Sequence, residues 1–205
     1  MTNRRHQRSF AERREAHGAV ADPQVVLDAA GRFLEARSRS VAEVRRRLTS
    51  SGYPSDLVEG AITKLLEFGM LDDDVFARSW VESRDRSRPR GEHAIREELR
   101  LKGIDRPTID MVMTERRDAT RRVDLDGDPI DDRGGLPGPD RGAAERLLSK
   151  HARALARVAD PRQRRQRAYA LLARNGFDPE TCREVAARAA SIPSAASGEA
   201  ADVDG

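Results

Sequence analysis

Apolar residues along this chain return every three or four positions in short bursts, and helix punctuation brackets each burst. Asp22-Pro23 reads as an N-cap followed by proline at the first helical position. Val26, Leu27, Ala30, Phe33 and Leu34 then share one helical face. Ser40-x-x-Glu43 is a capping box that opens a second helix carrying Val41, Val44 and Leu48, and Gly52 stops it. Pro54-Ser55 starts a third helix with Leu57, Val58, Ala61, Ile62, Leu65 and Leu66, which Gly69 closes. The same order returns. Asp72 or Asp73 caps a helix bearing Val75, Phe76, Ser79 and Trp80; Arg88-Pro89-Arg90-Gly91 breaks the chain; Ile95 and Leu99 mark the next stripe up to Gly103. Asp105 then opens a helix with Ile109 and Val112. A third round carries Leu147, Leu148 and Leu155, then Tyr169 and Leu172 after Asp160-Pro161, then Cys182 and Val185 after Asp178-Pro179.

The repetition is sharpest at the middle helix of each round. Leu48-x-x-x-Gly52-Tyr53, Leu99-x-x-x-Gly103-Ile104 and Leu172-x-x-x-Gly176-Phe177 share one spacing. Each leucine is expected to be the last core residue of its helix, each glycine to take a left-handed cap, and each following apolar residue to fold back over the helix end. The glycines lie 51 and 73 residues apart, and the excess of 22 matches an acidic stretch before the third round. Within it, residues 123–140 hold six aspartates, four glycines and three prolines, so a linker is expected there. Three units of three short helices, each too small to stand alone, predict an all-α repeat array.

Composition sharpens this picture. Only 38% of the 205 residues are hydrophobic and 4% aromatic, while 36% are charged. That is too little apolar material for one large core, and the periodicity argues against a disordered chain, which leaves small helical units with little interior each. The pI is about 9.5 with a net charge of only +3, and the basic charge is nearly all arginine. Residues 24–72 balance at seven basic against seven acidic, whereas residues 141–190 hold twelve against five, so the third unit is the basic one. A basic face of this kind suits a partner with a phosphate backbone.

Other chemistry is scarce. Cys182 is the only cysteine, which excludes an intrachain disulfide and a cysteine-based zinc site, and it reads as a small core residue. His6, His17, His93 and His151 are scattered and read as surface or incidental. The Asp72-Asp73-Asp74 run suits the positive end of a helix dipole better than a metal. No phosphate-binding glycine loop is present. The expectation is a protein with no cofactor, no metal and no catalytic residue. Neither a ~20-residue apolar run nor a secretory signal is found, so the cytoplasm is the expected compartment.

Gly69-Met70-Leu71-Asp72-Asp73-Asp74-Val75-Phe76-Ala77-Arg78-Ser79-Trp80-Val81-Glu82-Ser83-Arg84 closely resembles the hallmark stretch of the RecX regulatory family. Arg90-Gly91 and Ile95-x-x-Glu98-Leu99-x-x-Lys102-Gly103-Ile104 continue the likeness, and Ser40-x-x-Glu43 with Leu48, Gly52 and Tyr53 resembles the family's first unit. The likeness covers residues 24–117 strongly and 141–190 more weakly. It departs at the acidic insertion, the basic N-terminal arm and the sparse apolar face of the last helix. The resemblance implies an elongated, curved array of three tandem three-helix repeats. It also implies binding to the RecA recombinase filament, in some members also to DNA, and limits on filament growth, ATP hydrolysis and strand exchange; recombination, DNA repair and the SOS response are the expected setting, and a monomer is the expected state. An independent helical DNA-binding or transcription-related module is the alternative.

Six segments are expected: a flexible basic arm (1–22), repeat 1 (23–71), repeat 2 (72–118), an acidic linker (119–140), a basic repeat 3 (141–190) and a disordered tail (191–205). Leu71, Asp72, Asp73, Phe76, Ala77, Trp80, Gly91, Leu99 and Gly103 are the structural residues of the resembling motif. For partner contact the candidates are Arg84, Arg86, Arg88 and Arg90 around the Pro-Gly break, Arg96 and Arg100 on the helix after it, and Arg162, Arg164, Arg165 and Arg167. A solvated helix face is the other reading of each arginine.

Overall fold

The computed structural model describes residues 9–124 and 138–189. The described residues form ten helices and no strand: α1 (Phe10–Gly18), α2 (Pro23–Glu35), α3 (Val41–Ser51), α4 (Ser55–Glu67), α5 (Asp73–Ser87), α6 (Glu92–Leu101), α7 (Arg106–Asp124), α8 (Pro139–Ala156), α9 (Pro161–Arg174) and α10 (Pro179–Ala189). The three-helix repeats are α2–α4, α5–α7 and α8–α10. By packing, the chain divides into two compact units. One runs to Ala77 and takes in Leu101–Asp105; the other holds Arg78–Arg100 and the chain from Arg106 onward.

Two boundaries differ from expectation. The basic arm contains a helix, α1, because Ser9 and Glu12 form a capping box: Ser9 Oγ accepts from Glu12 N at 3.2 Å, and Glu12 Oε2 accepts from Ser9 N at 2.6 Å. Residues 1–8 lie outside the described residues. Likewise α7 runs to Asp124, into the segment expected as linker, because after Pro107 in its first turn no glycine or proline follows before Gly127. The heart of the expected linker, 125–137, and the expected tail from 190 on lie outside the described residues.

In the first unit α2, α3 and α4 close around Val26, Ala30, Val44, Leu48, Val58, Ala61, Ile62, Leu65 and Leu71. The expected caps are in place: Asp22 Oδ1 accepts from Gln24 N at 2.9 Å, and Ser40 and Glu43 form the capping box of α3. Each fully buried aliphatic side chain contributes about 1.5–3 kcal/mol. The second unit gathers Leu147, Leu148, Leu155, Leu172, Phe177, Cys182 and Val185 with five alanines, 143, 144, 168, 186 and 189. Alanine adds little burial but lets helix axes approach closely, so a core forms from a chain with few large apolar residues.

The helix ends carry the repeat. Gly52, Gly103 and Gly176 have φ of 100°, 83° and 80°, the left-handed caps that the leucine–glycine spacing predicts. They are also too crowded for a side chain. A Cβ on Gly103 would stand 2.3 Å from the Ala42 Cβ at the start of α3, and one on Gly176 would stand 2.3 Å from the Ala94 Cβ near the start of α6. The carbonyl just before each glycine takes a donor from the same neighbour. Ser40 Oγ donates to Lys102 O at 2.7 Å, and Gly91 N donates to Asn175 O at 3.0 Å. Thus the end of one repeat's middle helix seats on the start of the preceding repeat's middle helix. Gly91 has no room for a side chain either, because its Cβ would lie 2.1 Å from the Gly176 carbonyl oxygen.

Helix α1 fills the corresponding place in front of the first repeat. A Cβ on Gly52 would meet Arg14 Cγ at 2.6 Å, and Ser51 O, the carbonyl before that glycine, is 2.8 Å from His17 Nδ1. A carbonyl only accepts, so Nδ1 carries the proton. The His17 ring also stacks on Tyr53 at 4.3 Å. His17 is therefore a joint residue and not an incidental surface histidine.

Candidate macromolecular interface

The motif residues carry the second repeat's framework. Leu71, Phe76, Ala77 and Leu99 are buried. Asp72 caps α5, with its Oδ1 accepting from Val75 N at 2.9 Å. Asp73 reaches instead to the start of α3, where its Oδ1 accepts from Val41 N at 2.9 Å. Burial, helped by Asp105, Asp72 and Asp74, raises its pKa against that hydrogen bond. Trp80 is half-buried; its Nε1 donates to Glu98 Oε2 at 2.8 Å, and the Arg84 guanidinium lies 4.3 Å over its ring.

Of the candidate contact arginines, most are engaged within the chain. Arg84 Nε is 2.6 Å from Glu98 Oε2, and Arg86 pairs with Glu82 one turn back. Arg90 Nη1 donates to Asn175 Oδ1 at 2.8 Å. Arg96 bridges Glu92 and Asp110 at 2.9 and 2.5 Å. Arg100 holds Glu97 through two bonds of 2.7 and 2.9 Å. The exposed pairs, Arg86–Glu82 and Arg100–Glu97, contribute little to stability, and a phosphate can exchange into them.

Arg164 is a correction. Its side chain is buried at 2% exposure, with Nε and Nη2 donating to Val158 O at 3.0 and 2.9 Å and Nη2 to Ala159 O at 3.3 Å. It ties the α8–α9 turn and is unavailable to a partner. Arg162, Arg165 and Arg167 on α9 are exposed, as is Arg88 after α5, and none of the four has a side-chain partner among the described residues.

A second buried arginine escaped the sequence reading. Arg116, on α7, is held by Asp85 at 2.8 Å and by Asp140 at 2.6 Å. Asp140 also accepts from Glu92 N at 2.8 Å, so this residue belongs to the packed fold and not to the linker. Burial pushes Asp140 up in pKa despite Arg116 beside it. The three partners are 24 and 31 residues apart in sequence, a distance at which no periodicity signals a pair.

Among the described residues no group of His, Cys, Asp and Glu is placed to hold a metal, and no helix is long and apolar enough to cross a membrane. Cys182 is buried in the second unit's core, and burial pushes its thiol up in pKa.

Three-helix repeats with glycine joints, arginine-bearing exposed faces and a buried ionic node define a helical-repeat protein. Three domain models match the chain in order: the first three-helix domain of RecX over residues 27–65, the second over 72–113 and the third over 140–186. The chain belongs to the RecX family. It is similar to "Regulatory protein RecX" of Mycobacterium ulcerans, at 32% identity over 154 residues, 75% of this chain and 78% of the relative. It is also similar to the protein of that name from Mycolicibacterium smegmatis, at 36% identity over 114 residues. There the match takes in 49% of this chain and spans 61% of the relative's length. A crystal structure of RecX from Lactobacillus salivarius shares the fold with a TM-score of 0.62 at 19% identity, covering 83% of this chain and 97% of that one. A further crystal structure of regulatory protein RecX gives 0.59 at 20% identity, covering 86% of this chain and 72% of that one.

Proposed function

We propose that this chain is a non-enzymatic, cytoplasmic regulator that binds the RecA recombinase on DNA and limits filament growth, ATP hydrolysis and strand exchange. Family membership is the observation that carries the reading. Arginines of the second unit supply its chemistry: the exposed Arg88, Arg162, Arg165 and Arg167 offer uncommitted forks, the exposed, ion-paired Arg86 and Arg100 can exchange a carboxylate for another anion, and the half-buried Arg84, Arg90 and Arg96 are paired to carboxylates. Several modest contacts in series give avidity without a deep pocket.

The test is the DNA-dependent ATPase of RecA titrated with substoichiometric protein, alongside a strand-exchange assay. The reading predicts inhibition of both. Unchanged rates at every ratio contradict it. Tight, sequence-specific DNA binding in the absence of recombinase would instead make this an independent DNA-binding module.

A further inference from the structure

Phe33 stands near the end of α2, and its ring gathers two arginines. Arg39 Cζ lies 4.2 Å from the ring centroid and Arg47 Cζ 5.7 Å. Neither guanidinium donates a hydrogen bond or forms an ion pair with a described residue, and Arg39 Nε is buried without an acceptor. This sets them apart from the arginines of α5 and α6, which mostly sit on carboxylates. Arg37 adds a third positive charge beside them; its own forks are spent on Glu43 at 3.1 Å and on Ser38 O at 3.1 Å.

Counter-charge is short here. Glu43 is the carboxylate that acts on Arg39, and it is already shared between Arg37 and Lys102, the latter at 2.6 Å. Burial and then the charges of Arg37 and Arg47 leave the Arg39 guanidinium below its usual pKa, with Glu43 offsetting only part. Gathering like charges around one ring costs the free protein, and a bound anion relieves that cost. The ring meanwhile holds the forks near it, which lowers the ordering entropy lost on binding.

The two guanidinium carbons can be at most about 10 Å apart, and charges recur every ~3.4 Å of axis along one nucleic-acid strand. A separation within that bound is compatible with neighbouring phosphates of one strand. A folded acidic protein would have to present two carboxylates at one matching separation. We propose that Phe33, Arg39 and Arg47, in the first three-helix repeat, form a phosphodiester site that holds the backbone of a nucleic-acid strand without reading its sequence. Arginine forks on phosphate position a protein and carry no base information. The setting rests on the filament reading above, in which the partner contains DNA, but the site is tested without recombinase.

The experiment measures binding of the full chain to a fluorescent single-stranded oligonucleotide over a salt series. Arg39→Gln with Arg47→Gln should weaken binding at least tenfold at low salt. It should also flatten the slope of log affinity against log salt by about 1.4, two contacts at about 0.7 each. Arg45→Gln with Arg78→Gln removes the same charge from arginines paired to Glu59 and Glu115 and should do neither. Equal effects from both double variants, or none from the first, overturn the site. Phenylglyoxal labelling of the unaltered protein covers the case in which the glutamine variants unfold: the oligonucleotide should protect Arg47 and leave Arg45 reactive. Protection by polyglutamate but not by the oligonucleotide would assign the cluster to an acidic protein and overturn the proposal. Loss of this site with recombinase inhibition intact would leave the proposed function standing; inhibition absent with oligonucleotide binding intact would do the opposite.

Discussion

At the scale of single residues, arginine takes several distinct jobs in this chain, and burial with partner geometry decides which. Arg164 spends three hydrogen bonds on the carbonyls of Val158 and Ala159, while Arg162, Arg165 and Arg167 on the same helix face solvent. Arg164→Ala should therefore lower stability by about 1.5–3 kcal/mol, as expected when a charged donor leaves buried acceptors unpaired, and a thermal or denaturant melt reads it. Reversing the charge of Arg162, Arg165 and Arg167 should leave the melt unchanged and weaken filament binding. Glu43 gives a pH prediction. Burial raises its pKa, but hydrogen bonds from Lys102 and Arg37 outweigh that and set it below the ordinary 4.5. A depressed carboxylate stabilises the fold above its unfolded pKa, and that contribution is lost as pH falls through the folded value. Glu43→Gln should thus be less stable near neutrality and show a flatter acid limb when melting temperature is followed below pH 5. Pairs one turn apart, such as Arg86–Glu82 and Arg100–Glu97, follow from helix spacing alone, although the sequence reading weighed both arginines only as contact or solvated residues. The Arg116 node and the Phe33 cluster were not, because folding, and not periodicity, brings their members together.

At the scale of elements, the helices and their order could be read from caps and apolar stripes. Leu99 and Ile62, placed on core faces by periodicity, are 0% and 2% exposed. Replacing either by alanine should cost about 2–5 kcal/mol, and wild-type melting of both variants would show that the stripes are misassigned. The left-handed glycines at 52, 103 and 176 were equally visible, since the leucine–glycine spacing encodes a local helix end. What the spacing could not show is that each glycine also receives a neighbouring helix. Helix α1 was missed for a related reason. It has almost no apolar stripe, and its place comes from a capping box, a histidine–tyrosine stack and one hydrogen bond to Ser51. His17→Ala should destabilise the first unit by about 1–2 kcal/mol through loss of the stack and that bond. Exchange protection of the amides at the α3 end should fall in the same variant; unaltered protection would mean that α1 is not a cap.

At the scale of the whole molecule, low apolar content and abundant charge describe a protein that is mostly surface. Among the described residues, modest apolar clusters hold α2–α4 and α8–α10, the latter cluster rich in alanine, while charged side chains dominate the surface. The family could be recognised because residues 69–104 compress caps, core positions and joint glycines into one dense stretch. The candidate contact arginines could be nominated by type but not sorted, since sorting needs the acids that fold against them. The central claim is that this chain acts by attaching to a recombinase filament. Co-sedimentation tests it most directly: RecA assembled on single-stranded DNA with a slowly hydrolysed nucleotide is pelleted with the protein present. The account predicts that the protein enters the pellet in a saturable, salt-sensitive manner and only when filaments are present. Recovery of all of it in the supernatant, at every ratio and at low salt, would contradict the account.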